Sequence, residues 1–108
     1  MYKQKDVVLM PFPYTDLTGK KLRPALIISN NKINATNDRL CVLITSNKAE
    51  NALLIPKKHQ REGALPLVSF IKPHRLFSIN KNIIQKKLCK VSDELYKEVL
   101  QEIHAIIK

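Results

Sequence analysis

Residues 20–30 read Lys20-Lys21-Leu22-Arg23-Pro24-Ala25-Leu26-Ile27-Ile28-Ser29-Asn30. The middle of this stretch, Ala25 to Ile28, is apolar without alternation. A strand with one wet face alternates, so an unbroken run predicts a strand over Leu22–Asn30 that is buried on both faces at the centre of a sheet. Pro24 fixes its own φ and biases Arg23 towards an extended backbone. A guanidinium is therefore held on stiff backbone where the strand begins. Its planar fork can give two parallel hydrogen bonds to a phosphate or pair with a carboxylate at a sheet rim, and the residues alone weigh the two evenly.

On either side of this strand the chain breaks into short β-like runs. Asp6–Phe12 reads as a first strand, with Pro11 and Pro13 bending it or placing it at an edge. Tyr14–Lys21 is a polar loop containing Gly19. Asn30–Asp38, rich in Asn, is a loop or short helical turn. Arg39–Ser46 is a third strand, Ala52–Pro56 a short one, and Leu65–Ile79 a strand-like run with a break at Pro73. Ile83–Val91 is the last strand, and Asn47–Asn51 and Lys57–Ala64 are loops. Ser92–Lys108 is a helix: Ser92 is a good N-cap and Asp93 and Glu94 suit the first turn, while Leu95, Val99, Ile103, Ile106 and Ile107 form a stripe at helical spacing. Short strands closed by one terminal helix predict a mainly β fold, a small barrel with the helix packed on it.

The 108 residues are a one-domain length, taken as a single unit over 1–108, and 44% are hydrophobic, enough to fold. Nineteen Lys and Arg face nine Asp and Glu, a net charge of +10. That excess suits a polyanion, either nucleic acid or an acidic protein, although a lysine-rich proteome decorates surfaces in the same way. Cys41 and Cys89 each sit in an apolar run and read as buried free thiols. Neither has the His spacing of a metal site. Met1–Lys5 lacks the pattern of a signal peptide and no apolar run reaches membrane-spanning length, so a cytoplasmic protein is expected.

Three clusters have chemical potential. The first is Lys20-Lys21-Leu22-Arg23. The second is Thr45-Ser46, two hydroxyls that by themselves read as a strand end. The third is Ser69-Phe70-Ile71-Lys72-Pro73-His74-Arg75, where a proline stands beside cations and a histidine able to move a proton near neutrality. His59 and His104 read as structural or solvent-facing. Cutting RNA needs little more than such groups. The 2′-OH is a nucleophile already present in the substrate, so the site must take its proton, stabilise the charge growing on the phosphoryl oxygens, and protonate the departing 5′-oxygen. No metal or other cofactor is required by that chemistry, and the carboxylate cluster of a two-metal nuclease is missing from the sequence.

In order along nearly the whole chain, DVVLMPFPYTD, KKLRPALIISN, VLITS, VSFIKPHRLFSINKNIIQKKL and a helix opening SDEL resemble the MazF/PemK family of toxins from type II toxin–antitoxin systems. The segment Arg23 to Ser29 is the most specific part. The resemblance implies an SH3-like β-barrel with a C-terminal helix (the fold shared by CcdB and PemK plasmid-maintenance toxins), usually as a homodimer. It implies a ribosome-independent endoribonuclease that cuts single-stranded mRNA at short sequences, leaving a 2′,3′-cyclic phosphate and a 5′-OH. It implies a cognate antitoxin whose acidic, flexible segment occupies the RNA groove.

Carried over by position, Arg23 is the family's catalytic Arg, and Thr45 its catalytic or phosphate-contacting Thr. Lys72 and His74 stand where some members carry Arg-x-Asp, which would make His74 the acid or base. Lys20, Lys21, Ser46, Lys72 and Arg75 would bind RNA. The chain departs from many relatives at Lys5 and Cys89, where they have Gly, and at Lys72-Pro73-His74. Two other functions compete: a CcdB-like gyrase poison, which would use the apolar C-terminal end, and a non-catalytic basic module that binds nucleic acid without cutting it.

Overall fold

The computed structural model describes residues 2–12 and 21–108. Strands β1 (Asp6–Pro11), β2 (Leu22–Ile27), β3 (Asp38–Thr45), β4 (Leu53–Leu54), β5 (Gln60–Arg61), β6 (Phe70–Asn80) and β7 (Lys86–Val91) form one sheet in the order β4-β6-β3-β2-β1-β7-β5. Every pairing is antiparallel. The sheet curls into a half-barrel, and β7 returns to lie beside β1. A four-residue helix, α1 (Asn31–Asn34), fills the Asn-rich connection, and α2 (Asp93–Ile107) closes the chain. The loop expected over 14–21 lies outside the described residues up to position 20.

β2 is the central strand of the seven, as its unbroken apolar run requires. Successive side chains serve opposite faces. Leu26 and Ile28 join Val7, Val42, Ile44 and Ile71 in a core beneath α2, while Ala25 and Ile27 join Val8, Met10, Cys41 and Leu43 on the other side. Both cysteines are free and fully buried, one in each core. α2 contributes Leu95, Val99 and Ile103 to the first core. Each such burial is worth about 1.5–3 kcal/mol. Ser92 caps the helix, its Oγ accepting from the Leu95 N–H at 3.2 Å. The Tyr96 hydroxyl donates to the Ile28 carbonyl at 2.8 Å, tying the helix to the end of the central strand. Among the described residues no helix is long and apolar enough to cross a membrane.

Three expectations change in detail. Pro73 does not break the strand: β6 is continuous over Phe70–Asn80. Val42 pairs with Leu76 while the next residue, Leu43, pairs with Lys72, so Pro73, His74 and Arg75 form a bulge with no partner on β3. A bulge is where a residue lacking an N–H costs the ladder nothing. The stretch Leu65–Ser69 is not strand but irregular chain leading into β6. The expected loop over 57–64 contains a 3-10 turn, Lys57–His59, and the two-residue strand β5.

Candidate active site

β1, β2 and β3 bring their ends together at one edge of the half-barrel. Met10 of β1 pairs with Arg23 of β2, and Ala25 of β2 pairs with Leu43 of β3. Two residues further along that second ladder stand Arg23 and Thr45. Both line a pocket of about 330 Å³. Lys21 and Ser46 line it too, together with Ser69 and an aliphatic group that includes Leu9, Leu22, Ile44 and Leu88. The first two sequence clusters therefore meet, and the central strand with its proline is what delivers the guanidinium.

Arg23 is half-buried, and its Nε is buried with no hydrogen-bond partner among the described residues. A buried donor left unpaired costs about 1–3 kcal/mol. Arg39, in β3, behaves differently. Arg39 is buried, and its Nε donates to the Tyr2 carbonyl at 2.9 Å while Nη1 donates to the carbonyls of Thr36 at 2.9 Å and Asp38 at 2.7 Å. Arg39 is satisfied structure. Arg23 combines an unmet donor with a place on a cavity wall, where an anion can meet its guanidinium. Of the two readings the sequence left even, a rim ion pair has no carboxylate to support it: among the described residues none lines the pocket.

Thr45 is buried at the end of β3, its Oγ1 accepting from the Asn47 N–H at 3.1 Å. That bond orients the hydroxyl and leaves its own hydrogen to donate. Ser46, next along, is exposed at the pocket's rim. Lys21 is exposed and supplies a second cation. Lys20 lies outside the described residues.

Of the third cluster only Ser69 joins them. His74 lines a different pocket, of about 220 Å³, with Asn51, Pro73, Glu102 and Ile106. The three-residue bulge carries it away from the β3 ladder towards α2, so within one chain the structure does not bring His74 to Arg23 and Thr45. Arg75 shares the bulge and is exposed; Lys72 pairs with Leu43 and lines neither pocket. His59 is structural, its Nδ1 lying 2.6 Å from Ser92 Oγ at the cap of α2. Phe12 packs edge-on against Phe77 at 5.2 Å between centroids, inside the second core.

Sequence reasoning missed one wall of the pocket, Leu65, Pro66 and Leu67. Reading Leu65–Ile79 as one strand hid them. A proline as the second residue of the run was the signal that the strand begins later.

Residues 3–107 match the model of the PemK-like, MazF-like toxins of type II toxin–antitoxin systems, and the chain belongs to that family. Its fold is similar to that of a mycobacterial endoribonuclease solved in complex with its cognate antitoxin, at 17% identity and a TM-score of 0.79, covering 97% of this chain and 93% of that one. A second mycobacterial endoribonuclease structure matches at 18% identity and a TM-score of 0.75, covering 96% and 88%. A MazE–MazF structure from Deinococcus radiodurans matches at 17% identity and a TM-score of 0.79, covering 98% and 95%. No curated protein sequence matches significantly.

Proposed function

We propose that the chain is the endoribonuclease toxin of a toxin–antitoxin pair, cutting single-stranded mRNA at short sequences in the cytoplasm. The observation that carries this reading is the pocket that Thr45 shares with Arg23, whose buried Nε has no partner among the described residues. The scissile phosphate sits against Arg23. The 2′-oxygen attacks phosphorus as it loses its proton, the bond to the 5′-oxygen breaks, and that oxygen takes a proton. The products are a 2′,3′-cyclic phosphate and a 5′-OH. Arg23 stabilises the charge that grows on the non-bridging oxygens, and the oriented Thr45 hydroxyl donates to one of them. Lys21 and Ser46 hold the neighbouring backbone phosphate. The similar structures named endoribonuclease and MazF support the activity, and two of them contain an antitoxin. A cognate antitoxin with an acidic segment suits the +10 charge and the same pocket. A homodimer is the expected assembly.

The test is purified protein with a long single-stranded RNA in EDTA, beside an Arg23→Ala variant. Cleavage by the wild type and its loss in the variant are expected. Intact RNA with the wild type sinks the reading. A 2′-deoxy substitution at the cut site blocks cleavage if the 2′-OH is the nucleophile.

A further inference from the structure

The lining of the pocket beside Arg23 has two chemical sides. Lys21, Arg23, Thr45 and Ser46 are cationic or hydroxylic. The rest is mostly apolar and includes Leu65, Pro66 and Leu67 and, in β2, Leu22. Leu67 is 65% exposed and Leu22 is 41% exposed. Scattered exposed leucines are ordinary, but these two flank a cavity that also holds an unpaired guanidinium. A ligand that meets both sides has an anionic group joined to a flat, largely apolar one. Within an RNA chain that pair is a phosphate and the base next to it. Leu65, Pro66 and Leu67 offer such a base leucine and proline surfaces.

The wall is irregular chain, yet four hydrogen bonds tie it and its neighbours together. The Gln60 side chain donates through Nε2 to the Ile55 carbonyl at 3.2 Å and accepts through Oε1 from the Leu65 N–H at 2.8 Å. The Ile55 N–H donates to the Ser69 carbonyl at 2.9 Å, and Ser69 Oγ donates to the Leu67 carbonyl at 2.8 Å. Ser69 is only 4% exposed. Two of these residues, Gln60 and Ser69, work through their side chains and hold the wall independently of the sheet ladder.

We infer that Leu65–Leu67 is the surface against which the enzyme selects the base flanking the scissile phosphate, and that Gln60 and Ser69 are its positioning residues. The inference rests on the ribonuclease reading above and adds where sequence preference is set. Val68 supplies an internal control: it is 68% exposed, adjacent to Leu67, and does not line the pocket.

The experiment maps every cut in a long single-stranded RNA by sequencing the new 5′ ends, for the wild type, Leu67→Ala, Val68→Ala and Gln60→Ala. Leu67→Ala is expected to relax the preference at one position flanking the cut by about tenfold while the other positions keep theirs. Gln60→Ala should relax the same position, and Val68→Ala should reproduce the wild-type map. Because Leu67 is exposed, its variant folds whether or not the Gln60 variant does. An unchanged map in Leu67→Ala, or an equal change in Val68→Ala, overturns the inference while leaving the nuclease intact. RNA left uncut by the wild type removes both.

Discussion

Arg23 and Thr45 face one pocket from adjacent strands, two residues past the Ala25–Leu43 pair of the β2–β3 ladder. Antiparallel pairing brings the start of one strand beside the end of the other, so a residue from position 23 and one from position 45 meet on backbone that neither can move alone. The guanidinium is stiffened by Pro24 behind it, and the hydroxyl is aimed by the Asn47 N–H. Preorganised donors of this kind stabilise developing charge without reorganising during the reaction.

Substitution at each position should therefore cost turnover more than folding. Arg23→Lys keeps the charge but loses the fork and the Nε donor, and cleavage is expected to fall by about 10²–10³. Thr45→Val keeps the strand but loses one neutral hydrogen bond to the phosphate, about tenfold in rate, and the acceptor for Asn47 N–H, about 1 kcal/mol of stability. Single-turnover cleavage and urea unfolding of both variants measure the two effects. Wild-type cleavage by Arg23→Lys would remove the bidentate role.

His74 is expected to be dispensable for the cut. It lines a pocket with Glu102 and Ile106 rather than the one with Arg23. His74→Ala should retain RNA cleavage within about threefold, the scale of a remote surface change, and should leave the pH–rate profile in place. Loss of a limb of that profile between pH 5 and 8 would return His74 to the reaction, with the partner copy of a dimer as the means of delivery.

What the sequence made legible follows from how local each signal was. The unbroken run Ala25–Ile28 placed β2 at the centre because two-sided burial leaves no other pattern, and Ser92-Asp93-Glu94 marked the helix start through capping chemistry confined to three residues. Arg23 and Thr45 were found as separate strand-end residues; that they share a pocket depends on the β2–β3 register, which no short window contains. That His74 lines a different pocket within one chain likewise depends on a register, that of β3 with β6. Three extra residues in β6 are visible only against β3. The wall at Leu65–Leu67 was hidden because an apolar run reads alike as strand or as irregular chain held by Gln60 and Ser69.

Gly63 is where a small change should disturb the wall most. Its φ is +141°, outside the range side chains favour, and a Cβ there would lie 2.1 Å from the Leu88 carbonyl oxygen. Nothing flexible can yield, since all three nearest atoms are backbone. The neighbouring Glu62 carboxylate also pairs with Lys87 at 2.5 Å, and Lys87 reaches the buried Asp6 at 3.3 Å. Gly63→Ala is expected to destabilise by about 2 kcal/mol. It should also alter cleavage-site preference, because Leu88 lines the pocket. Denaturant unfolding with a cut-site map checks both, and an unchanged midpoint would mean that the turn relaxes freely.

Alkaline pH should weaken the fold through the two buried thiols. Burial pushes Cys41 up to about 12, against a small opposing pull from Arg39, and pushes Cys89 up to about 11. In the unfolded chain both titrate near the ordinary value of 9.0. Below pH 9 folded and unfolded chains bind these protons equally, so the contribution is constant. Above pH 9 the unfolded chain releases protons that the folded one retains, and stability falls with rising pH until the folded thiols ionise. Each thiol contributes a slope of up to about 1.4 kcal/mol per pH unit over its window. Urea unfolding at pH 8, 9.5 and 10.5 should show the decline in the wild type, and Cys41→Ala should show a shallower one from a lower starting stability. At pH 8 iodoacetamide should alkylate neither cysteine until the protein is unfolded. Native-state alkylation of Cys41, or a Cys41→Ala slope equal to the wild type's, would show that the thiol is not held neutral by the core.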